Sequence, residues 1–216
     1  MIFRDRTQAG MELAQKLKRY SGAPAVVLAI PRGGVPVACE IARETQLPLQ
    51  LLYVKKIGHP RDREYAIGAV SLDDRYLLPN AGIGERYVTL ETAQIRKRLE
   101  SMESRFGMHD ITLKDKTLIV VDDGIATGAT LVCAIRILRK QEPAAIIVAT
   151  PVASRSAAVS ISQNADGFVS VQTIDEFRGV GKYYHDFHQL DDQEMADYLQ
   201  RVGARPRPVT IRDSGI

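Results

Sequence analysis

The sequence predicts an α/β fold, a single domain in which a parallel twisted sheet is flanked by helices. Short aliphatic runs recur along the 216 residues, and stretches with helical periodicity separate them. Glycine-rich turns follow two of these runs. A continuously apolar run is typical of a strand that helices cover on both faces, and the alternation of such runs with helices indicates right-handed parallel crossovers.

The first half of the chain supplies two strands and two helices of this pattern. Asp5 begins a capping-box pattern with an apolar helical stripe after it, and AVVLAI is a buried-strand run. The residues from 55 to 86 are rich in charge, Gly and Pro, so we expect irregular structure with a short hairpin from 65–72 and 75–79. The predicted elements are helix 5–20, strand 25–30, turn 31–34, helix 35–45 and strand 47–54.

The second half repeats the alternation three times and closes with a helix. We expect one domain over 1–202 and a loose tail over 203–216, where prolines and charges replace the apolar pattern. The predicted elements are helix 89–106, strand 118–121, helix 129–141, strand 144–150, helix 154–164, strand 167–171 and helix 191–202.

Composition narrows the class of protein. The longest apolar runs have strand length, and residues 1–20 lack the apolar core of a signal peptide, so we expect a cytoplasmic protein that does not contact membranes. The net charge of +3 is too balanced to indicate nucleic acid as a partner. Cys39 and Cys133 fall in predicted helices and are expected to be buried thiols.

The stretch LIVVDDGIATGAT, residues 118–130, combines a buried strand, two acids and a tight turn into a helix. It matches neither the P-loop nor the dinucleotide fingerprint. The first amides of the following helix and its dipole favour a phosphate. Asp122 and Asp123 would repel that phosphate, so they must face sugar hydroxyls or a divalent cation. A ribose 5-phosphate has both halves, with its phosphate on the turn and its diol on the acids.

This stretch resembles the 5-phosphoribosyl-1-pyrophosphate (PRPP) fingerprint of type I phosphoribosyltransferases. The resemblance implies a Rossmann-like sheet with a small C-terminal hood and a flexible loop. It also implies that Asp122 and Asp123 hold the ribose and favour positive charge at its anomeric carbon. The loop that would hold the 5-phosphate consists of Gly124, Ile125, Ala126, Thr127, Gly128, Ala129 and Thr130.

The turn IPRGGVPVA, residues 30–38, resembles the pyrophosphate loop of the same family. Arg32 can fork onto phosphate oxygens, and the amides of Gly33 and Gly34 can approach a ligand closely. Lys55 and Lys56 end the second predicted strand, where the family often has a basic residue near the pyrophosphate. Neighbours on a strand face opposite ways, so we expect at least one of the two to face solvent.

Two further segments are candidates by resemblance. The segment 57–86 is the candidate flexible loop, in which Arg61 and Arg63 would approach the leaving group and His59 or Glu64 would move a proton; a solvated loop of charges is the alternative for each. The candidate hood is 172–190, where Tyr183 and Tyr184 would sandwich a planar base. Aromatic packing on the sheet edge is an equal alternative for this segment.

The resemblance implies an enzyme, a pentosyltransferase of nucleotide metabolism that binds PRPP and Mg²⁺. A nitrogenous base or amine would displace pyrophosphate, and we expect Mg²⁺ to be held mainly by PRPP rather than by a protein metal site. The family also implies a homodimer. The acceptor stays open, because Ala126 and Ala129 stand where relatives that act on 6-oxopurines carry an acid and a lysine.

Two other functions are compatible with the same residues. The first is a PRPP-sensing regulatory or nucleic-acid-binding module on this fold without transferase activity, although the chain shows no added helix-turn-helix segment. The second is a sugar-phosphate phosphatase, which would need a further Mg²⁺ ligand later in the chain that we do not find. We rank the phosphatase last.

Overall fold

The computed structural model describes residues 1–79, 82–107 and 111–203, apart from the side chain of Glu64. The loose tail predicted from residue 203 therefore lies almost entirely outside the described residues. The helices are α1 (Arg6–Leu17), α2 (Gly34–Thr45), α3 (Glu85–Phe106), α4 (Ala129–Arg139), α5 (Arg155–Ser162) and α6 (Asp192–Arg201). The strands are β1 (Ala25–Ala29), β2 (Leu49–Leu51), β3 (Val54–His59), β4 (Asp62–Ser71), β5 (Arg75–Leu77), β6 (Thr117–Val121), β7 (Ala145–Ser154) and β8 (Gly167–Ile174).

The central sheet is parallel and has five strands in the order β2-β1-β6-β7-β8, which confirms the predicted fold class. Alternate residues of β1 and β6 point to opposite faces, as strand geometry requires. Val27 and Ile119 pack with the cluster that contains α1, α2, α3 and α6. Val26 and Leu118 pack with α4 and α5 on the other face. Both faces are therefore covered, which explains the continuous apolar runs.

The segment 55–86 differs from its prediction, because most of it is regular. The predicted hairpin is confirmed as the antiparallel pair β4 and β5, but β3 pairs with β4 to make a three-stranded sheet. The charged residues of β3 concealed a strand whose Ile57 is fully buried. Only a short turn around residues 60–61 separates β3 from β4, so this segment is not a long irregular loop.

Two strands of the central sheet also have different lengths from those predicted. The edge strand β2 covers only Leu49–Leu51, and Pro48 before it has no amide to donate to a ladder. β7 continues to Ser154, four residues beyond its predicted end. Its second half pairs with β8 on one side and forms a bridge from Ala153 to Ile125 on the other. No α-helix in the described ranges has both the length and the apolar content needed to cross a bilayer.

The central position of Ile119 makes it a direct test of this core. The side chain is fully buried, so Ile119→Ala leaves a cavity and should lower the free energy of unfolding by about 2–5 kcal/mol. Urea denaturation followed by circular dichroism measures the change. The matched control is Val159→Ala, which removes methyl groups that are 51% exposed and should change stability by less than about 0.5 kcal/mol. Equal losses in the two variants would contradict the placement of Ile119 in the core.

Candidate active site

The two predicted turns meet at the carboxyl edge of the sheet. β1 and β6 are adjacent and in register from Ala25 with Thr117 to Ala29 with Val121, so the turns after them lie side by side. The amide of Ile30 donates to the carbonyl of Val121 over 2.9 Å. A Cβ on Gly34 would lie 2.5 Å from that same carbonyl oxygen, so a side chain here would force the turns apart. The peptide between Pro31 and Arg32 is cis.

The acid doublet, Asp122 and Asp123, lies between these turns. Asp123 is buried, and its Oδ2 accepts a hydrogen bond of 2.7 Å from Nε of Arg6. A Cβ on Gly33 would lie 2.1 Å from the same Oδ2, so the glycine leaves the space that the carboxylate fills. Asp122 is partly exposed, and its Oδ1 accepts from the amide of Asp123 over 2.9 Å. The structure thus gives the two acids different surroundings.

Arg6 is the site residue that sequence reasoning missed. Its Nη1 donates to the carbonyl of His188 over 2.9 Å, and its guanidinium carbon lies 4.0 Å from the centre of the Phe187 ring. A cation in the first turn of a helix is unfavourable for the helix dipole. Arg6 follows the N-cap residue Asp5 in that position, and this was the one signal in the sequence.

The pKa values of the doublet are shifted upwards. Burial raises the pKa of Asp122 well above its ordinary value, and the neighbouring charge of Asp123 raises it further. Burial also raises the pKa of Asp123, and the guanidinium of Arg6 opposes that rise. Perturbed carboxyl pKa values in a cleft are a feature of many functional sites.

The phosphate loop, residues 124–130, is fixed by the second half of β7. The amide of Ile125 donates to Val152 O over 2.9 Å, and Ser154 Oγ donates to Ala126 O over 2.6 Å. Gly128 has φ of 76° and is the N-cap of α4, without a side chain to cap the helix. The first amides of α4 thus lack the capping side chain that would compete with an anion, while Ala126 and Thr127 are exposed beside them.

Arg32 and Lys55 lie on the other side of the doublet. They line a cavity of about 510 Å³ together with Arg6, Gly33 and Asp123. Such a volume is in the range of small-molecule sites. Lys56 is next to Lys55 on β3, so its side chain points to the opposite face of that sheet, as strand alternation predicts. The structure therefore places Arg32 and Lys55 in one cavity lining with Asp123, and Lys56 is not among the residues that line that cavity.

The hood prediction needs a correction at Tyr184. This ring is 5% exposed, and its hydroxyl donates to Asp123 O over 2.6 Å. It packs between Phe3 and Phe187, so it cannot sandwich a base and instead supports the acid doublet from below. Tyr183 is half-buried and stacks on Phe177 at 5.2 Å between ring centres. Of the two predicted roles for the hood aromatics, base stacking and packing on the sheet edge, Tyr184 has the packing role.

The chain start and the hood are joined by backbone hydrogen bonds. Phe3 pairs with Tyr184 in a parallel bridge, and the amide of Asp186 donates to Arg4 O over 2.9 Å. Gly124 completes the contact, because a Cβ there would lie 2.2 Å from a methyl carbon of Val180. These contacts hold the chain start against the hood, and Arg6 just after it lines the cleft.

The candidate catalytic residues of segment 57–86 are not among the described residues that line this cleft. The backbone of Glu64 lies in β4, and its side chain is outside what the structure describes. Arg63 pairs with Glu91 of α3 at 2.6 Å and is largely exposed. His59 accepts from the amide of Arg61 and packs edge-on against Tyr65. Their roles in catalysis stay predictions.

Comparison with known proteins identifies the family of this chain. The model of the phosphoribosyl transferase domain matches residues 3–188. A relative from Mycobacterium tuberculosis, named "Putative phosphoribosyl transferase Rv0571c", is 36% identical over 210 residues that cover 93% of this chain and 47% of the relative. This chain therefore spans about half the length of that relative.

Solved structures agree with the family model. The protein TT1426 from Thermus thermophilus is 34% identical and superposes with a TM-score of 0.80, covering 93% of this chain and 99% of that one. A hypothetical protein from Neisseria gonorrhoeae with bound ppGpp shares the fold, at 14% identity and a TM-score of 0.52 over 93% and 96% of the two chains. The fold, the two turns and the match over residues 3–188 place this chain in the phosphoribosyl transferase domain family.

Proposed function

We propose that this protein is a phosphoribosyltransferase that binds PRPP with Mg²⁺ and transfers the 5-phosphoribosyl group to a nitrogenous base or amine. The observation that carries the proposal is the placement of an uncapped α4 N-terminus, a carboxylate doublet and a cationic turn along one sheet edge. These three groups match, in order, the 5-phosphate, the ribose hydroxyls and the pyrophosphate of PRPP. Family membership supports the same reaction class.

The two acids have separate roles in this proposal. Asp122 accepts hydrogen bonds from the ribose hydroxyls, because it is the partly exposed member of the doublet. Asp123 forms an ion pair with Arg6, so its main role is to position the doublet. It also adds negative potential near the ribose ring. As the anomeric bond to pyrophosphate lengthens, positive charge develops on the ribose, and the doublet stabilises it electrostatically.

The leaving pyrophosphate gains negative charge, and cations of the site receive it. Arg32 and Lys55 line the cavity beside the doublet and would hold the phosphate oxygens. The chemistry of the doublet also fits Mg²⁺, which commonly binds one or two carboxylates together with substrate phosphates. When bound with PRPP, Mg²⁺ would neutralise charge on the leaving group. Among the described residues, no group of three or more His, Cys, Asp or Glu side chains could hold a metal ion.

Asp122→Asn tests the proposal without breaking the buried ion pair of Arg6 and Asp123. Asparagine keeps the shape and removes the charge that faces the ribose, so PRPP binding in the presence of Mg²⁺ should weaken by about tenfold or more. Isothermal titration calorimetry measures the affinity. Asp73→Asn is the matched control, because Asp73 is exposed and outside the cleft, and it should bind PRPP like the wild type.

Transfer itself is tested with a panel of purine, pyrimidine and amine acceptors, in which pyrophosphate release is measured. Release that requires both PRPP and one acceptor, and that Asp122→Asn abolishes, is the expected result. Binding of PRPP without release for any acceptor would favour the sensor module over the enzyme. If the wild type does not bind PRPP, the proposal as a whole is overturned.

The doublet also predicts a pH dependence of stability. Both folded-state pKa values lie above 3.8, so the stability contributed by these groups is complete below the unfolded pKa and is lost as pH rises through the folded pKa. Asp122→Asn removes the more strongly shifted group. Its free energy of unfolding relative to wild type should therefore rise between about pH 4 and pH 7, as urea titrations at the two pH values would show. A difference that is constant or falls with pH would contradict the raised pKa.

Ser154 should matter because its hydroxyl joins two parts of the site. It donates to Ala126 O in the phosphate loop and accepts from the amide of Ala157 as the N-cap of α5. We expect Ser154→Ala to lower the free energy of unfolding by about 1 kcal/mol and to weaken PRPP binding several-fold. The control, Ser162→Ala on the same helix, is exposed and should change neither quantity. Unchanged PRPP affinity in Ser154→Ala would show that the loop does not depend on this anchor.

A further inference from the structure

A second cavity, of about 540 Å³, lies next to the cleft between α3 and the start of α6. It shares Arg32, Lys55 and Met102 with the cleft, so the two cavities adjoin at the proposed pyrophosphate site. We call it the basic groove. Its charged lining residues are Arg32, Lys55, Lys97, Arg98, Arg105 and Asp192.

Helix α3 contributes most of this charge from one flank. Lys97, Arg98 and Arg105 recur at spacings that place them on the same side of the helix. An acid of the same helix, Glu103, lines a different cavity. Among the described residues, neither Lys97 nor Arg98 forms an ion pair, and Lys55 forms none either. The charge of the basic groove is therefore largely uncompensated by the protein itself.

Asp192, the acid among the described residues that line the basic groove, pairs with two of its arginines. The Oδ1 of Asp192 lies 2.7 Å from Nη2 of Arg32, and its Oδ2 accepts a hydrogen bond from Nη1 of Arg105. Two guanidinium groups from different elements thus converge on one carboxylate. This carboxylate occupies the position that a phosphate group would take if it bridged the pyrophosphate loop and α3.

We propose that the basic groove is an anion subsite that extends the pyrophosphate site and takes a linear oligophosphate longer than pyrophosphate, either free or as the phosphate arm of a nucleotide. The assignment of pyrophosphate to Arg32 rests on the proposed function. The convergence of cations on the groove is independent of that function. Five cations face one carboxylate here, and forked guanidinium groups match phosphate oxygens. The volume suits a small ligand of this kind.

The lining of the groove favours a small oligophosphate over a single-stranded nucleic acid. Proteins that bind such strands combine a basic groove with exposed aromatic rings on which bases stack. The aromatic residue of this lining is Phe106, and it is only 4% exposed. The groove therefore offers charge without a stacking surface.

Calorimetry with inorganic tripolyphosphate, without PRPP or Mg²⁺, tests the subsite. Lys97→Gln/Arg98→Gln should bind it about tenfold or more weakly than wild type. The control Arg86→Gln/Lys116→Gln also removes two positive charges, one in α3 and one outside it. Neither residue lines the groove, so this variant should bind tripolyphosphate within about twofold of wild type. Equal weakening in both variants would reduce the effect to overall charge and overturn the proposal, as would unchanged binding in Lys97→Gln/Arg98→Gln.

Asp192→Asn gives a prediction of opposite sign. It removes the carboxylate that occupies the anion position, so tripolyphosphate should bind several-fold more tightly; weaker binding would contradict that reading of Asp192. Titration with adenosine triphosphate distinguishes the two sources. Equal affinity indicates that the phosphate chain suffices, tighter binding indicates a nucleotide arm, and both support the subsite. Retention of a single-stranded RNA more tightly than tripolyphosphate would overturn it.

These outcomes are separable from those of the proposed function. Asp122→Asn should lose PRPP binding and keep tripolyphosphate binding, because Asp122 does not line the basic groove. Loss of PRPP binding in Asp122→Asn, together with unchanged tripolyphosphate binding in Lys97→Gln/Arg98→Gln, would leave the proposed function standing and remove the subsite.

Discussion

The buried ion pair of Arg6 and Asp123 is the interaction on which the site depends. It joins the first turn of α1 to the strand-to-helix turn after β6, across 117 positions of sequence. A buried carboxylate without a partner is strongly destabilising, so a charged Asp123 can be held here only because a guanidinium reaches it. The same guanidinium holds the backbone of His188 and the ring of Phe187. One cation thus fixes the doublet, the chain start and the hood relative to each other.

Close backbone approach between the two turns is the second constraint. Gly33 leaves the volume that the Asp123 carboxylate fills, and Gly34 lets the turn at residues 31–34 approach the carbonyl of Val121. Cations line the opposite side of the cleft, where Arg32 is held by Asp192 and by the carbonyl of Leu190. The result is a cleft with acids at its centre, cationic side chains on one side and the uncapped N-terminus of α4 on the other.

Some elements of this fold can be predicted from the sequence and others cannot. The strands of the central sheet were predictable because burial on both faces requires a continuous run of apolar residues. The turn at 122–128 was predictable because its acids and glycines are close together in the sequence. Strand β3 was missed because its buried residues are interrupted by Lys55 and Lys56. For Tyr184 the sequence leaves base stacking and packing on the sheet edge equally open, because aromatic content does not reveal which face of a ring is covered; Phe3 and Phe187 cover it here.

The α/β class, the order of the main elements and the two glycine-containing turns at residues 31–34 and 122–128 can be predicted from the amino-acid sequence without coordinates. All of these are local properties, since periodicity, capping and turn chemistry act over a few residues. Three features become visible only in the folded chain: Arg6 is the partner of Asp123, Arg32 and α3 line one basic groove, and Asp122 is the more accessible acid. These depend on contacts between residues that are far apart in the chain, where burial and charge pairing set the free energy and no local pattern records the partner.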